Sequence, residues 1–371
     1  MMHLSTMIDG FGAHPAAWRS PGVTPGDLFD PMRAVALARL AEEGLLDFVT
    51  LDDQRVESPQ PGTTFGALDA PLVLALAAAH THRIGLVPTG VTRGDPVAMA
   101  ARIATLDRVS GGRGGWRPRV FLTDEERRNA TADPEAYADF TDQRFQHVTE
   151  YVDAVIRFWD SWADDAVAAD GTAPEFVDPQ RMRPAHMCGE QVHATGFGGI
   201  PTSADGQPLL VTLAHFTAPF KLAARHADIV CITPFTLDEI LAVRAELAQW
   251  CVDLHRGRTP LTVLADLNVV LGPTEAAARE RLAFLDARFG STFSSDAATF
   301  VGTPEGLADF MEHWHTDGGV DGFRLRPAVL PDDLSTVVTE LVPLLQRRGL
   351  YKTSYPDTPL RFRLRTAAHV G

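Results

Sequence analysis

The stretch Leu209-Leu210-Val211-Thr212-Leu213-Ala214, followed by Ala218 to His226 and then Asp228-Ile229-Val230-Cys231-Ile232-Thr233, sets the architecture. The first and third runs are short and rich in Val, Ile, Leu and Thr, as strands are. The middle run is an Ala/Leu-rich helix. Two strands joined through a helix lie parallel, because only a crossover connection can return the chain to the same edge.

The same rhythm runs outward in both directions. Toward the N-terminus, strands are expected at Leu4 to Ile8, Asp47 to Leu51, Ile84 to Pro88 and Gly115 to Leu122. Between them fall helices at Pro31 to Glu43, with Asp30 as N-cap, at Asp69 to His80 and at Pro96 to Leu106. Glu135 to Trp162 reads as a long amphipathic helix. Toward the C-terminus come a helix at Leu237 to Leu254, a strand at Leu261 to Val270, and helices at Thr274 to Phe289 and Pro304 to His313. A strand at Gly322 to Leu325 and a helix at Asp332 to Gln346 close the series. Eight strands, each followed by helix and with no clear linker, predict an α/β fold: one (β/α)8 TIM barrel over residues 1–371. Two segments exceed ordinary loops, 163–208 and 289–301, and are expected to be a lid and a shorter insertion.

Composition narrows the function. The 371 residues carry 33 basic and 48 acidic side chains, a formal charge of −15, which disfavours a phosphate-backbone partner. At 45% hydrophobic the chain is too apolar to be disordered. Cys188, Cys231 and Cys251 are sparse and lack metal or redox spacing. No basic segment leads into a long apolar run between Met1 and Gly12, and the longest apolar stretch, Pro71 to Ala79, is too short for a membrane span. A soluble cytoplasmic protein is expected, with neither nucleic acid nor membrane as partner.

The motifs are modest by themselves. Gly111-Gly112-Arg113-Gly114-Gly115 follows a helix and precedes a strand, the reverse of a dinucleotide fingerprint, so it reads as a helix cap and tight turn. The pairs His80/His82 and His313/His315 place their rings on different helix faces and do not read as metal ligands. His14, just past the first strand, stands at the catalytic rim of a barrel, as either a substrate-facing imidazole or a structural hydrogen-bond partner. As a substrate-facing group it is the candidate catalytic residue. Phe11, Trp18 and Phe65 line the substrate pocket or pack the core.

Longer strings carry a resemblance. Ile84-Gly85-Leu86, Ala104 to Trp116, Phe158-Trp159-Asp160-Ser161-Trp162, Asp205-Gly206-Gln207-Pro208, Leu222 to Asp228, Val301 to Glu305, Asp321-Gly322-Phe323 and Pro343 to Leu350 follow one another in register over nearly the whole chain. Together they resemble bacterial luciferase-like flavin monooxygenases, in the branch of nitrilotriacetate and dibenzothiophene-sulfone monooxygenases. That resemblance implies a TIM-barrel homodimer or higher homo-oligomer. It also implies reduced FMN supplied by a separate flavin reductase, oxygen activation through a C4a-peroxyflavin, and a small organic substrate. For the cofactor site it implies Asp52, Thr89 and Thr92 beside the flavin. Where the family has Trp-Asn this chain has Trp116-Arg117. The family's His-Asp-x-Arg-Tyr reads Thr141-Asp142-Gln143-Arg144-Phe145, and its phosphate-binding Gly-Ser-Ser reads His215-Phe216-Thr217. Arg117, His215 and Thr217 with the helix that follows are the candidate replacements at the phosphate. The alternatives are an F420-dependent oxidoreductase of the same superfamily and a non-catalytic subunit whose flavin pocket has decayed, with Phe145 and Phe216 as its marks.

Overall fold

The computed structural model describes residues 1–53, 62–120, 134–167, 171–172, 175–257 and 260–364. Among them are eleven strands: β1 (His3–Met7), β2 (Phe48–Leu51), β3 (Gly85–Val91), β4 (Gly115–Arg119), β5 (Ala185–Cys188), β6 (His193–Gly196), β7 (Leu209–Ala214), β8 (Ile229–Ile232), β9 (Thr262–Leu271), β10 (Thr299–Gly302) and β11 (Gly322–Pro327). Eight of them pair in parallel as the ring β1-β2-β3-β4-β7-β8-β9-β11, and β11 closes on β1 at His3↔Gly322. This is a closed (β/α)8 barrel, as the alternation predicts. The three further strands lie outside the ring. β5 and β6 form an antiparallel hairpin in the long insertion, and β10 extends the sheet beside the far end of β9.

The outer layer contains α1 (Pro31–Glu43), α2 (Ala70–Ala78), α3 (Pro96–Val109), α4 (Pro134–Trp159), α5 (Thr217–His226), α6 (Leu237–Asp253), α7 (Glu275–Phe289) and α8 (Pro304–Thr316). The expected closing helix is broken into α9 (Asp332–Thr336) and α10 (Val342–Arg347) by a wider π-type turn over Val337–Leu341. Asp30, Asp69, Asp95, Thr236, Thr274 and Thr303 each accept a first-turn N–H at the start of their helices. α5 starts without such a cap, since its N-cap Phe216 has no side chain able to accept, and α9 and α10 likewise have none.

Side-chain alternation divides each barrel strand. In β9, Val263, Ala265, Leu267 and Val269 face outward into the main core beneath the helices. Leu264, Asp266 and Asn268 take the opposite face, inside the ring. In β11 the outward residues are Phe323 and Leu325, and the inward ones Arg324 and Arg326. The barrel interior is therefore layered. Its lower layer is apolar, built from Phe48, Val87, Leu209, Val211, Ile229, Cys231 and Leu264. A short helix, α11 (Leu360–Arg363), plugs the ring from below with Leu360 and Leu364. Arg361 anchors it on Asp228, at 3.0 Å.

The glycine cluster forms the expected turn. Gly111 and Gly112 take left-handed φ of 68° and 79°, and Arg113 reaches back to the carbonyls of Ala78, Thr81 and Ile84. The described part of insertion 163–208 docks on α4, where Glu150 accepts the N–H groups of Glu190, Gln191 and Val192 at 2.8–3.1 Å. No described helix is long and apolar enough to cross a membrane.

Shortening the plug tests this layering. Leu360→Ala leaves a void against Phe48 and Gly85 and is expected to cost about 2–4 kcal/mol. Urea denaturation reads the loss; a cost below about 0.5 kcal/mol would show that the ring does not need the plug.

Candidate active site at the barrel mouth

Above the apolar layer the interior becomes charged. Asp266 is fully buried and receives two guanidinium groups from β11. Arg324 Nε donates to Asp266 Oδ1 at 2.8 Å, and Arg326 Nε to Oδ2 at 2.7 Å. Arg324 also donates to Thr50 Oγ1 at 3.1 Å, and Arg326 continues to Asp296. Burial would raise the Asp266 carboxyl, but the two arginines outweigh it and hold it below the usual carboxylate range.

A second set faces it from β1, β2 and β4. Arg117 Nε donates to Thr89 Oγ1 at 2.8 Å, and its Nη2 lies 3.5 Å from Asp52. Arg119 reaches the other Asp52 oxygen at 2.6 Å. Asp9, just past β1, accepts the Asp52 N–H at 2.6 Å. Burial, and then the Asp52 charge, push the Asp9 carboxyl up to about 6, against the pull of Arg117 and Arg324.

Between these walls opens a cavity of about 680 Å³ at the C-terminal mouth of the ring. Its volume is that of a site for a drug-sized or cofactor-sized molecule. Asp52, Arg117, Thr141, Phe145, His215 and Phe216 line it, so the structure brings most of the expected cofactor residues together. Thr89 lies behind Arg117 as its hydrogen-bond partner. Thr92 donates its hydroxyl to the Arg119 carbonyl at 3.2 Å instead of facing the cavity. The Thr217 hydroxyl is turned to Glu246, at 2.9 Å. Phe145 and Phe216 meet edge to face, with ring centroids 5.3 Å apart. His215 holds Thr233 Oγ1 at 3.1 Å, and burial lowers its imidazole, favouring the neutral ring.

The proposed catalytic group is elsewhere. His14 Nδ1 accepts the Ala16 N–H at 3.0 Å, and Nε2 lies 3.1 Å from Asp286. Both nitrogens are engaged and the ring is absent from the cavity wall; burial lowers its basicity. Strand-end position places a residue at the rim but does not aim its ring. Phe11 packs with Ala17, Leu285 and Val329 under the Arg33 guanidinium, 4.7 Å from its centroid. Trp18 donates to the Gly62 carbonyl at 3.0 Å, and Phe65 is 44% exposed. None of the three lines the cavity. The described part of 163–208 does not line it either. The shorter insertion does, through Phe293, Ser294, Ser295 and Asp296.

Arg144, the arginine that the His-Asp-x-Arg-Tyr resemblance keeps, lines the wall together with four residues not expected from sequence: Asp9, Asn268, Arg324 and Arg326. The signal for the last two is plain in retrospect. Phe323-Arg324-Leu325-Arg326 alternates apolar and charged residues inside a buried strand, where an unpaired charge is prohibitive. No described group of three or more His, Cys, Asp or Glu side chains is arranged to hold a metal.

Comparison with known proteins agrees with this architecture. The profile of the luciferase-like monooxygenases matches residues 11–316. The chain belongs to that family and is a flavin-dependent monooxygenase. It is 29% identical to a pristinamycin IIA synthase component of Streptomyces pristinaespiralis, over 97% of this chain and 95% of that one. It is 25% identical to nitrilotriacetate monooxygenase component A of Aminobacter aminovorans, over 97% and 95%. Among solved structures, a riboflavin lyase with modified FMN and riboflavin superposes with a TM-score of 0.83 at 22% identity, covering 98% of this chain and 95% of that one.

Asp9 provides a pH test of the site. A carboxyl raised from 3.8 to about 6 in the fold contributes stability below about pH 4, and that contribution is lost as pH rises through 6. Asp9→Asn removes the titration while keeping the acceptor for Asp52. The variant is expected to gain on wild type by up to about 3 kcal/mol between pH 4 and pH 8. Parallel stability curves across that range, measured by urea unfolding, would contradict the assignment.

Proposed function

We propose that this chain is the oxygenase of a two-component system, taking reduced FMN from a separate flavin reductase and oxygenating a small organic substrate. The observation that carries the reading is the cavity at the barrel mouth, bordered by a helix N-terminus that has no side-chain cap. The residues fit the cofactor in two parts. Arg144 lines the cavity next to Phe145, whose ring meets Phe216, the N-cap of α5. A guanidinium beside an uncapped helix start suits a phosphate dianion. Arg117 and Asp52 on one wall, with Thr89 behind them, and β9 with β11 on the other, leave room for a planar ring.

In this arrangement Arg144, the α5 N-terminus and His215 hold the phosphate, taking the part that sequence comparison suggested for Arg117. Arg117 is committed to Thr89 and Asp52 and holds a polar wall deeper in the ring. When bound, reduced FMN supplies the activation of molecular oxygen, while the protein orients substrate and limits access of water. Phe145 and Phe293 form the apolar edge that excludes water. Both relatives are named as parts of larger systems, one a monooxygenase component and the other one of the chains of a synthase, which supports dependence on a partner. The resemblance supports a homodimer, which sedimentation would test, and a single domain with the 289–301 segment beside the substrate.

The Phe145–Phe216 ring pair and the Thr217–Glu246 bond stand where the phosphate is proposed, so flavin titration tests the site directly. Wild-type protein is expected to quench FMN fluorescence saturably, and Arg144→Ala to weaken FMN about ten- to a hundredfold while barely changing riboflavin. No saturable binding of FMN, oxidised or anaerobically reduced, would reject the oxygenase reading. Equal losses for FMN and riboflavin would reject Arg144 as the phosphate ligand.

A further inference from the structure

Asn268 is 1% exposed, lines the cavity and faces inward from β9, two residues above Asp266. Its side-chain amide is oriented without ambiguity. Nδ2 donates to the carbonyls of Ala297 at 3.0 Å and Ala298 at 3.2 Å, and neither carbonyl could receive an oxygen in its place. The amide nitrogen is thus engaged with the backbone at Ala297 and Ala298. The Oδ1 atom is left buried with no partner. A buried acceptor without a donor is costly, and a native fold keeps one where something else supplies the hydrogen bond.

The neighbours do not supply it. Arg326, the β11 partner of Asn268 in register, spends its guanidinium on Asp266 and Asp296. Ser295, on the adjoining loop, donates to Asp296. Oδ1 is itself covered in the empty cavity that Asn268 lines, so its donor has to come from a molecule that seats against β9 and opens the amide to it.

We infer that Asn268 is a specificity-determining residue whose Oδ1 accepts a hydrogen bond from an N–H or O–H group of the bound molecule. The inference rests on the cavity being the ligand site of the proposed function and names what that ligand must carry. Two sources have this chemistry: the imide N–H of the flavin ring, and a lactam, amide or hydroxyl group of the substrate. In either case a ligand that puts a methyl group where the donor should be leaves Oδ1 unsatisfied and is rejected.

The experiment uses matched pairs that differ only in the donor. FMN is compared with its N3-methyl derivative by fluorescence titration. In FMN-loaded protein, 2-pyrrolidone is compared with N-methyl-2-pyrrolidone, and phenol with anisole, by saturation-transfer NMR. Wild-type protein is expected to favour the donor-bearing member of at least one pair by about tenfold or more. Asn268→Ala is expected to bring that ratio close to one, with Asn268→Ser as a smaller change should the alanine variant fail to fold. Selectivity in the FMN pair identifies the flavin as source; selectivity only in the other pairs identifies the substrate. No selectivity in any pair, or selectivity that survives substitution of Asn268, overturns the inference. If FMN does not bind at all, the flavin reading fails separately, and the small-molecule pairs, run without it, still decide the role of Asn268.

Discussion

Asp266 held between Arg324 and Arg326 is the interaction on which the barrel mouth depends. All three side chains are buried inside a ring of parallel strands, where an isolated charge would be prohibitive. One carboxylate between two guanidiniums leaves a net positive charge, which Asp296 offsets from the rim. The strand register makes this possible, because Arg324 sits directly opposite Asp266 and Arg326 opposite Asn268. Below the network the interior is apolar and plugged by Leu360 and Leu364; above it the interior is polar and open. The ionic layer thus marks the floor of the cavity. Removing Asp266 would leave Arg324 buried without its bonded carboxylate and Arg326 with Asp296 alone, at the rim.

That layer also bears on how an acidic chain would receive the anionic cofactor proposed for it. The formal charge of −15 is spread over the whole molecule, while arginines concentrate at the mouth. Arg117 and Arg119 share Asp52, and Arg324 and Arg326 share Asp266. These pairs form rigid walls of the mouth. The phosphate position proposed for Arg144 rests on its place on α4, lining the cavity next to the aromatic contact with α5. The two walls then differ in chemistry: the β2–β4 side is charged and saturated, while the β9 side carries an acceptor that lacks a donor.

The fold was readable because its signals are local and repeated. Val/Ile/Leu runs alternating with capped helices give the ring, and Asp30, Asp69 and Thr274 mark helix starts that the structure keeps. The β5–β6 hairpin was hidden, since Ala185 to Cys188 and His193 to Gly196 are short, partly polar and stabilised by α4. The site was readable in position but not in direction. Asp52, Arg117, Phe145, His215 and Phe216 do reach the cavity. His14 sits at the right height, yet the Ala16 N–H and Asp286 turn its ring away. Thr217 follows the right strand, yet Glu246, 29 residues on, takes its hydroxyl. Those partners are distant in sequence or set by loop geometry, and no spacing rule encodes them. The inward arginines of β11 were within reach: two charges at period two in a buried strand require a partner, and Asp266 at the same period in β9 is that partner.

A crystal structure of the protein with FMN is the most direct test of this cofactor site. The phosphate is expected at the N-terminus of α5 within hydrogen-bond distance of Arg144, and the ring between the Arg117 wall and the β9–β11 wall with the Asp266 network undisturbed. A flavin lodged outside the mouth, or a phosphate displacing Arg326 from Asp266, would contradict that placement.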